Sequence, residues 1–180
     1  MFKQLMNAHS KLANGKVILI LLFLFLLANL VVIQAVYPKF QTLDTLSSYT
    51  PDTAFQLISS YGEQGRQYYA VIEVTLDLVY PLVSALLFSL AIFYTFKRAF
   101  PGRNWVLYFS LAPYTVLLAD YLENICIVSM LLSYPQESTL LAQLSNFFTI
   151  AKFTLAPLQL LFIVGLVGWP IQILRARRSQ

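Results

Sequence analysis

Residues 68–96 read YYAVIEVTLDLVYPLVSALLFSLAIFYTF, a largely apolar stretch that holds two acidic side chains, Glu73 and Asp77. A helix rises about 1.5 Å per residue, so a run of this length crosses the roughly 30 Å hydrocarbon core of a bilayer. A charged group in hydrocarbon is unfavourable unless it is paired, neutralised or hydrated. The stretch therefore predicts a transmembrane helix that carries a buried polar site.

Three further apolar runs, at residues 17–36, 105–133 and 144–174, predict three more transmembrane helices. The first follows a basic segment, as the core of a signal peptide does. It exceeds the length of about 7–15 residues that is usual for such a core, and we interpret it as a retained span. The predicted fold class is all-α: a polytopic membrane protein in which residues 1–180 form a single domain, a four-transmembrane-helix bundle.

Proline and glycine residues within these runs bear on the shape of the helices. Pro81, Pro113 and Pro157 each remove a backbone hydrogen bond. They are expected to kink their helices, unless they only reflect the higher frequency of proline in membrane helices. Gly165 and Gly168 form a small-residue patch that can seat a neighbouring helix.

The composition also favours a membrane protein, because 58% of the 180 residues are hydrophobic and 11% are charged. Soluble domains are roughly a quarter charged. The net charge is +4, but the basic residues cluster at the ends of the apolar runs, which argues against nucleic-acid binding. Cys126 is the single cysteine and His9 the single histidine. An intrachain disulfide is thereby excluded, and haem ligation or a histidine-based metal or acid–base site is not expected.

The loop charges predict the orientation of the four spans. By the positive-inside rule, the side that carries the excess of lysine and arginine is cytoplasmic. Both termini are then cytoplasmic, in a plasma or inner membrane. Nine basic residues fall on the side of the termini: Lys3, Lys11, Lys16, Lys97, Arg98, Arg103, Arg175, Arg177 and Arg178. Only Lys39 and Arg66 fall on the other side.

The outer loop, residues 37–67, is the one sizeable soluble segment of the prediction. Within it, Thr50-Pro51-Asp52 predicts the start of a short extracytoplasmic helix between the first two spans. That helix either lies on the outer membrane surface or caps the bundle. Asp44 and Asp52 belong to this loop and are expected to lie outside the membrane.

Polar side chains of the predicted spans fall at similar depths, in the outer half of the bilayer. Glu73 and Asp77 share one helix face because they are four residues apart. Lipid offers such groups no partner, so the polar faces of neighbouring helices are expected to meet. The candidate ligand-binding residues are Glu73, Asp77, Asp120, Glu123, Asn124 and Lys152. The candidate supporting residues are Asn29, Tyr80, Tyr114 and Thr149.

The charges of this polar layer do not balance. Four carboxylates against one ammonium cannot all be ionised in a low dielectric. Three outcomes stay open: some carboxyls are protonated, a cation binds, or water fills the space with a cationic or hydroxyl-rich ligand. Oxygen ligands suit Ca²⁺, Mg²⁺, Mn²⁺ or Na⁺ better than zinc or copper. The candidate metal ligands are Glu73, Asp77, Asp120 and Glu123.

Two short motifs of the predicted spans carry a resemblance to known membrane proteins. LDxxYP at residues 76–81 and DxxEN at residues 120–124 resemble a group of uncharacterised four-span membrane proteins, to which no activity attaches. In architecture the chain is also similar to the four-helix sterol-isomerase-like and sigma-2-receptor-like membrane proteins. That likeness implies acidic residues in a membrane cavity. It does not extend to isomerase chemistry, because the chain has no intramembrane histidine.

Four hypotheses of function follow. The favoured one is a buried acidic and lysine pocket that binds a cation or a small polar or cationic ligand. The second is a membrane enzyme that uses paired carboxyls for acid–base chemistry on a lipid-like substrate. The third is a proton- or ion-coupled transporter, expected as a homo-oligomer because four helices make a thin pathway. The fourth is a structural or assembly subunit. Membrane lipids are expected partners in each case.

Overall fold

The computed structural model describes residues 2–36 and 41–178. Within these ranges it leaves undescribed the side chains of residues 2, 3, 5, 8, 32–36 and 178. The first residues of the predicted outer loop, including Lys39, lie outside the described residues, as do the side chains of Lys3 and Arg178. The part of the chain that is described is helical, and no strand occurs in it.

Eight α-helices occur in the described residues, together with two short 3₁₀ turns at Leu43–Thr45 and Ala156–Leu160. The helices are α1 Phe2–Leu12, α2 Gly15–Val36, α3 Pro51–Ser60, α4 Gly62–Ala99, α5 Val106–Ser110, α6 Pro113–Ser133, α7 Thr139–Leu155 and α8 Leu161–Arg178.

In the described residues, three helical segments are long and apolar enough to cross a membrane, judged by length and composition. They are Gly62–Ala99, Val106–Ser133 and Thr139–Arg177, at the positions of the second, third and fourth predicted spans. The described apolar part of α2, Gly15–Val31, is shorter. The predicted all-α class is thus confirmed for the described residues, and the long apolar helices fit a membrane protein. The count of four spans stays a prediction.

The prolines act in three different ways. Pro81 lies inside α4. Pro113, which was expected inside a continuous helix, is the first residue of α6, where its missing N–H leaves no hydrogen bond unmade. Pro157 lies in the 3₁₀ turn Ala156–Leu160, so the predicted fourth span consists of two helices, α7 and α8.

The chain divides into two compact units. The first comprises Met1–Phe25, Val83–Thr115 and Leu155–Gln180, and the second comprises Leu26–Leu82 and Val116–Thr154. Of the candidate residues, Tyr114 belongs to the first unit and the others belong to the second. That residues 1–180 form one domain stays a prediction.

The first unit has an aromatic and aliphatic core around Phe93 and Phe96. His9 of α1 is buried there, with its Nε2 atom 3.2 Å from the Ser89 hydroxyl and its ring centroid 5.6 Å from that of Phe93. Arg98 lies over the Tyr94 ring, 3.4 Å from its centroid. The single histidine is therefore a packed core residue of this unit.

The second unit has a core that includes Leu43, Ile58, Tyr69 and Ile127. The helix α3 within it begins as its sequence indicates: Pro51 is its first residue, and the Thr53 amide donates to the Thr50 hydroxyl at 3.2 Å. The extracytoplasmic location of α3 stays a prediction.

The glycine patch of α8 packs directly on α4, as predicted. A Cβ atom at Gly165 would lie 2.6 Å from Thr95 Cβ and 2.8 Å from Phe96 Cδ1. One at Gly168 would lie 2.9 Å from Ala99 Cβ. These separations are shorter than van der Waals contact, so this approach of the two helices requires glycine.

We expect Gly165→Ala to lower the free energy of unfolding by about 1–3 kcal/mol, because α8 must move away from α4. Thermal or denaturant unfolding in detergent micelles measures the change. Gly15→Ala is the matched control, since the nearest atom there, the Tyr94 hydroxyl oxygen, lies 3.9 Å away. Equal stabilities for the two variants would contradict the packing argument.

Candidate functional site

Three helices and one loop of the second unit bring their polar side chains together. The helix α4 carries Glu73 and Asp77, four residues apart and therefore on one face. The helix α6 carries Asp120, Glu123 and Asn124, and α7 carries Thr149 and Lys152. All six candidate ligand-binding residues lie in this cluster, and Glu73, Asp120, Glu123 and Asn124 are buried.

Lys152 forms an ion pair with two carboxylates of α6. Its Nζ atom lies 3.2 Å from Asp120 Oδ1 and 2.5 Å from Glu123 Oε2. The Lys152 side chain is 14% exposed and that of Glu123 is 0% exposed. The Thr149 hydroxyl donates to Glu123 Oε1 at 2.6 Å. The Lys152 ammonium and the Thr149 hydroxyl of α7 thus bind the carboxylates of α6.

The loop before α3 enters the cluster through Tyr49, which the sequence did not single out. The Tyr49 hydroxyl donates to Ser145 Oγ at 2.6 Å, and its backbone amide donates to Asn146 Oδ1 at 2.8 Å. Burial raises the pKa of the Tyr49 hydroxyl above its usual value, so the group keeps its proton and acts as a donor. These bonds attach the loop to α7.

A second group of carboxylates gathers beside the ion pair. Asp44, Glu73 and Asp77 each offer an oxygen within 4.8 Å of the others. Asp44 Oδ1 accepts a hydrogen bond from the Tyr69 hydroxyl at 2.7 Å. Asp77 Oδ2 accepts one from Asn124 Nδ2 at 2.7 Å. Glu73 is 2% exposed, and its Oε2 atom has no hydrogen-bond partner.

The carboxylate grouping differs from the predicted set of metal ligands. The sequence indicated Glu73, Asp77, Asp120 and Glu123, whereas the three carboxylates whose oxygens lie within 4.8 Å of one another are Asp44, Glu73 and Asp77. Asp120 and Glu123 bind Lys152, and Glu73 and Asp77 lie with Asp44. Asp44 was expected outside the membrane in the loop. Its place in the cluster depends on the fold of that loop, which helical periodicity does not report.

The four candidate supporting residues lie in different places. Thr149 contacts Glu123, as described above. The Tyr80 hydroxyl donates to Asn29 Oδ1 at 3.4 Å, which joins α4 to α2. Tyr114 belongs to the first unit. Tyr69, which continues the face of Glu73, is the residue whose role could have been inferred, because a buried hydroxyl beside a carboxylate supplies a hydrogen bond.

Comparisons with protein-family models, with curated proteins and with solved structures found no match. The resemblances to four-span and sterol-isomerase-like proteins stay predictions. The function is therefore argued from the cluster itself.

We expect Lys152→Met to lower the free energy of unfolding by about 3 kcal/mol, because it leaves two buried carboxylates without their cation. The double variant Lys152→Met, Glu123→Gln should recover part of this loss, because one of the two charges is then removed. Unfolding in detergent micelles measures both.

Lys16→Met serves as the control, because Lys16 is exposed and the loss of an exposed charge has little effect on stability. A Lys152→Met protein as stable as the wild type would show that the ion pair does not hold α6 and α7 together.

Proposed function

We propose that this chain is an integral membrane protein of four spans, with cytoplasmic termini and with α3 on the outer side. We further propose that it binds a cation at Asp44, Glu73 and Asp77. The topology is supported by the three helices of sufficient length and by the distribution of basic residues. The binding function is supported by the geometry of the three carboxylates.

The observation that carries the binding proposal is the Glu73 carboxylate. It is 2% exposed, its Oε2 atom has no hydrogen-bond partner among the described residues, and two other carboxylates offer oxygens within 4.8 Å. A buried polar atom without a partner costs about 1–3 kcal/mol, and more when the group is charged. A bound cation removes this cost and supplies the missing partner.

The charge balance supports the same site. The cluster holds five carboxyl groups and one lysine, Lys152, whose ammonium pairs with Asp120 and Glu123 and donates to the Asp44 backbone carbonyl at 3.4 Å. The salt bridges of the described residues do not include Asp44, Glu73 or Asp77. Three like charges this close repel one another strongly unless they are protonated or share a cation.

The distances suit a hard cation. Two oxygens bound to one Ca²⁺ at roughly 2.4 Å lie at most about 4.8 Å apart, and the three carboxylates already meet this limit. Ca²⁺, Mg²⁺, Mn²⁺ and Na⁺ are the inorganic candidates, since all prefer oxygen ligands. The enzyme, transporter and assembly hypotheses stay predictions.

We expect one or more of these four cations to raise the melting temperature of the purified protein, because a ligand stabilises the state that binds it. The gain is about 2.7 kcal/mol at a concentration of 100 Kd. Asp44→Asn and Asp77→Asn should lose the cation-dependent shift. Asp52→Asn and Glu63→Gln, at exposed positions, should keep it. A wild-type protein that responds to none of the four cations would contradict inorganic-cation binding.

Glu73→Gln separates binding from folding. In cation-free buffer we expect this variant to melt at the wild-type temperature or above it, because the buried carboxylate is gone while the side-chain volume is kept. The same variant should show no cation-dependent shift. A lower melting temperature in cation-free buffer would indicate that Glu73 has a structural role instead.

A further inference from the structure

A cleft on the second unit runs between α4 and α6 and has Glu73 and Asn124 among its lining residues. Its volume is about 350 Å³, at the lower end of the range of small-molecule sites. Val74, Leu78 and Ile125 form an apolar wall and are 49–62% exposed. In the proposed membrane orientation this wall faces lipid, so the cleft opens sideways into the bilayer.

Two of the lining residues, Glu73 and Asn124, each carry one buried acceptor atom. Within the described part of the chain, Glu73 Oε2 and Asn124 Oδ1 both lack a hydrogen-bond partner. The Asn124 amide nitrogen donates to Asp77 Oδ2 at 2.7 Å and to the Asp77 carbonyl at 3.4 Å. Both of its hydrogens are thereby used, and the oxygen is the atom of Asn124 that is left for a ligand.

The two hydroxyl groups that line the cleft donate their hydrogens to backbone carbonyls. Tyr121 donates to the Leu78 carbonyl at 2.7 Å, and Ser129 donates to the Ile125 carbonyl at 2.6 Å. The described side chains of the cleft therefore offer acceptors, while their donor hydrogens are engaged within the protein. A ligand that satisfies this site must bring its own donors, and the Glu73 carboxylate favours a ligand with positive charge.

We propose that this cleft binds a single-chain primary amine in its ammonium form. The ammonium donates to Glu73 and Asn124, and the aliphatic chain lies along Val74, Leu78 and Ile125. This inference rests on the proposed cation site, because the ammonium is then the cation that Glu73 holds. A phospholipid with an ethanolamine headgroup fits less well, since its phosphate would place a negative charge near Glu73 and Asp77.

Three amines test the chemistry on the full-length protein in an uncharged detergent. Methylammonium has the donors without the chain, octylammonium has both, and octyltrimethylammonium has the chain and the charge without N–H donors. We expect octylammonium to raise the melting temperature most, methylammonium to raise it less, and octyltrimethylammonium to leave it unchanged.

Two variants test the place of binding. Ile125→Trp and, on the facing helix, Val74→Trp fill the cleft with a larger side chain. Each should weaken octylammonium binding by about tenfold or more. Both should keep the response to methylammonium and to any inorganic cation that the wild type binds. Leu132→Trp is the matched control, because Leu132 is 72% exposed on α6 and is not among the lining residues.

The outcomes separate the two proposals. Equal shifts with methylammonium and octylammonium, unchanged in Ile125→Trp and Val74→Trp, would overturn the cleft assignment and leave the cation site intact. A shift with octyltrimethylammonium as large as that with octylammonium would overturn the role of the two acceptors. If no inorganic or ammonium cation stabilises the wild type, the cation site and the cleft assignment both fail.

Discussion

The ion pair of Lys152 with Asp120 and Glu123 is the interaction on which the polar cluster depends. A buried charge is tolerated when its partners are close and the remaining lone pairs are hydrogen-bonded, and Thr149 provides such a bond to Glu123. The pair attaches α7 to α6. Because Lys152 is paired there, the salt bridges of the described residues do not include Asp44, Glu73 or Asp77.

The sequence predicted the members of the cluster better than their pairing. Spacings of three and four residues place Glu73 with Asp77 and Asp120 with Glu123, because helical periodicity is a local property. Which carboxylates Lys152 pairs with depends on the rotation of each helix about its axis. No single span encodes that rotation, so the sequence could not predict that Asp44, and not Asp120 or Glu123, brings an oxygen within 4.8 Å of Glu73 and Asp77.

The loop before α3 adds residues to the cluster that the sequence did not assign to it, and the reason is also physical. Asp44 looked like a solvated loop residue, because acidic residues are mostly exposed. In the fold, the Tyr69 hydroxyl of α4 donates to Asp44, and the backbone amide of Tyr49 donates to Asn146 of α7. These bonds hold the loop against α4 and α7. Such long-range contacts leave no periodic signal, whereas the cap of α3 at Thr50 is local and could be inferred.

The proposed inorganic cation and the proposed ammonium ligand would both bind the Glu73 carboxylate. The Glu73 carboxylate belongs to the three-carboxylate group with Asp44 and Asp77, and it also lines the cleft beside Asn124. An inorganic cation that fully coordinates Glu73 removes the negative charge that attracts an ammonium, so the two ligands oppose each other's binding. The coupling is reciprocal, because each lowers the affinity of the other by the same factor.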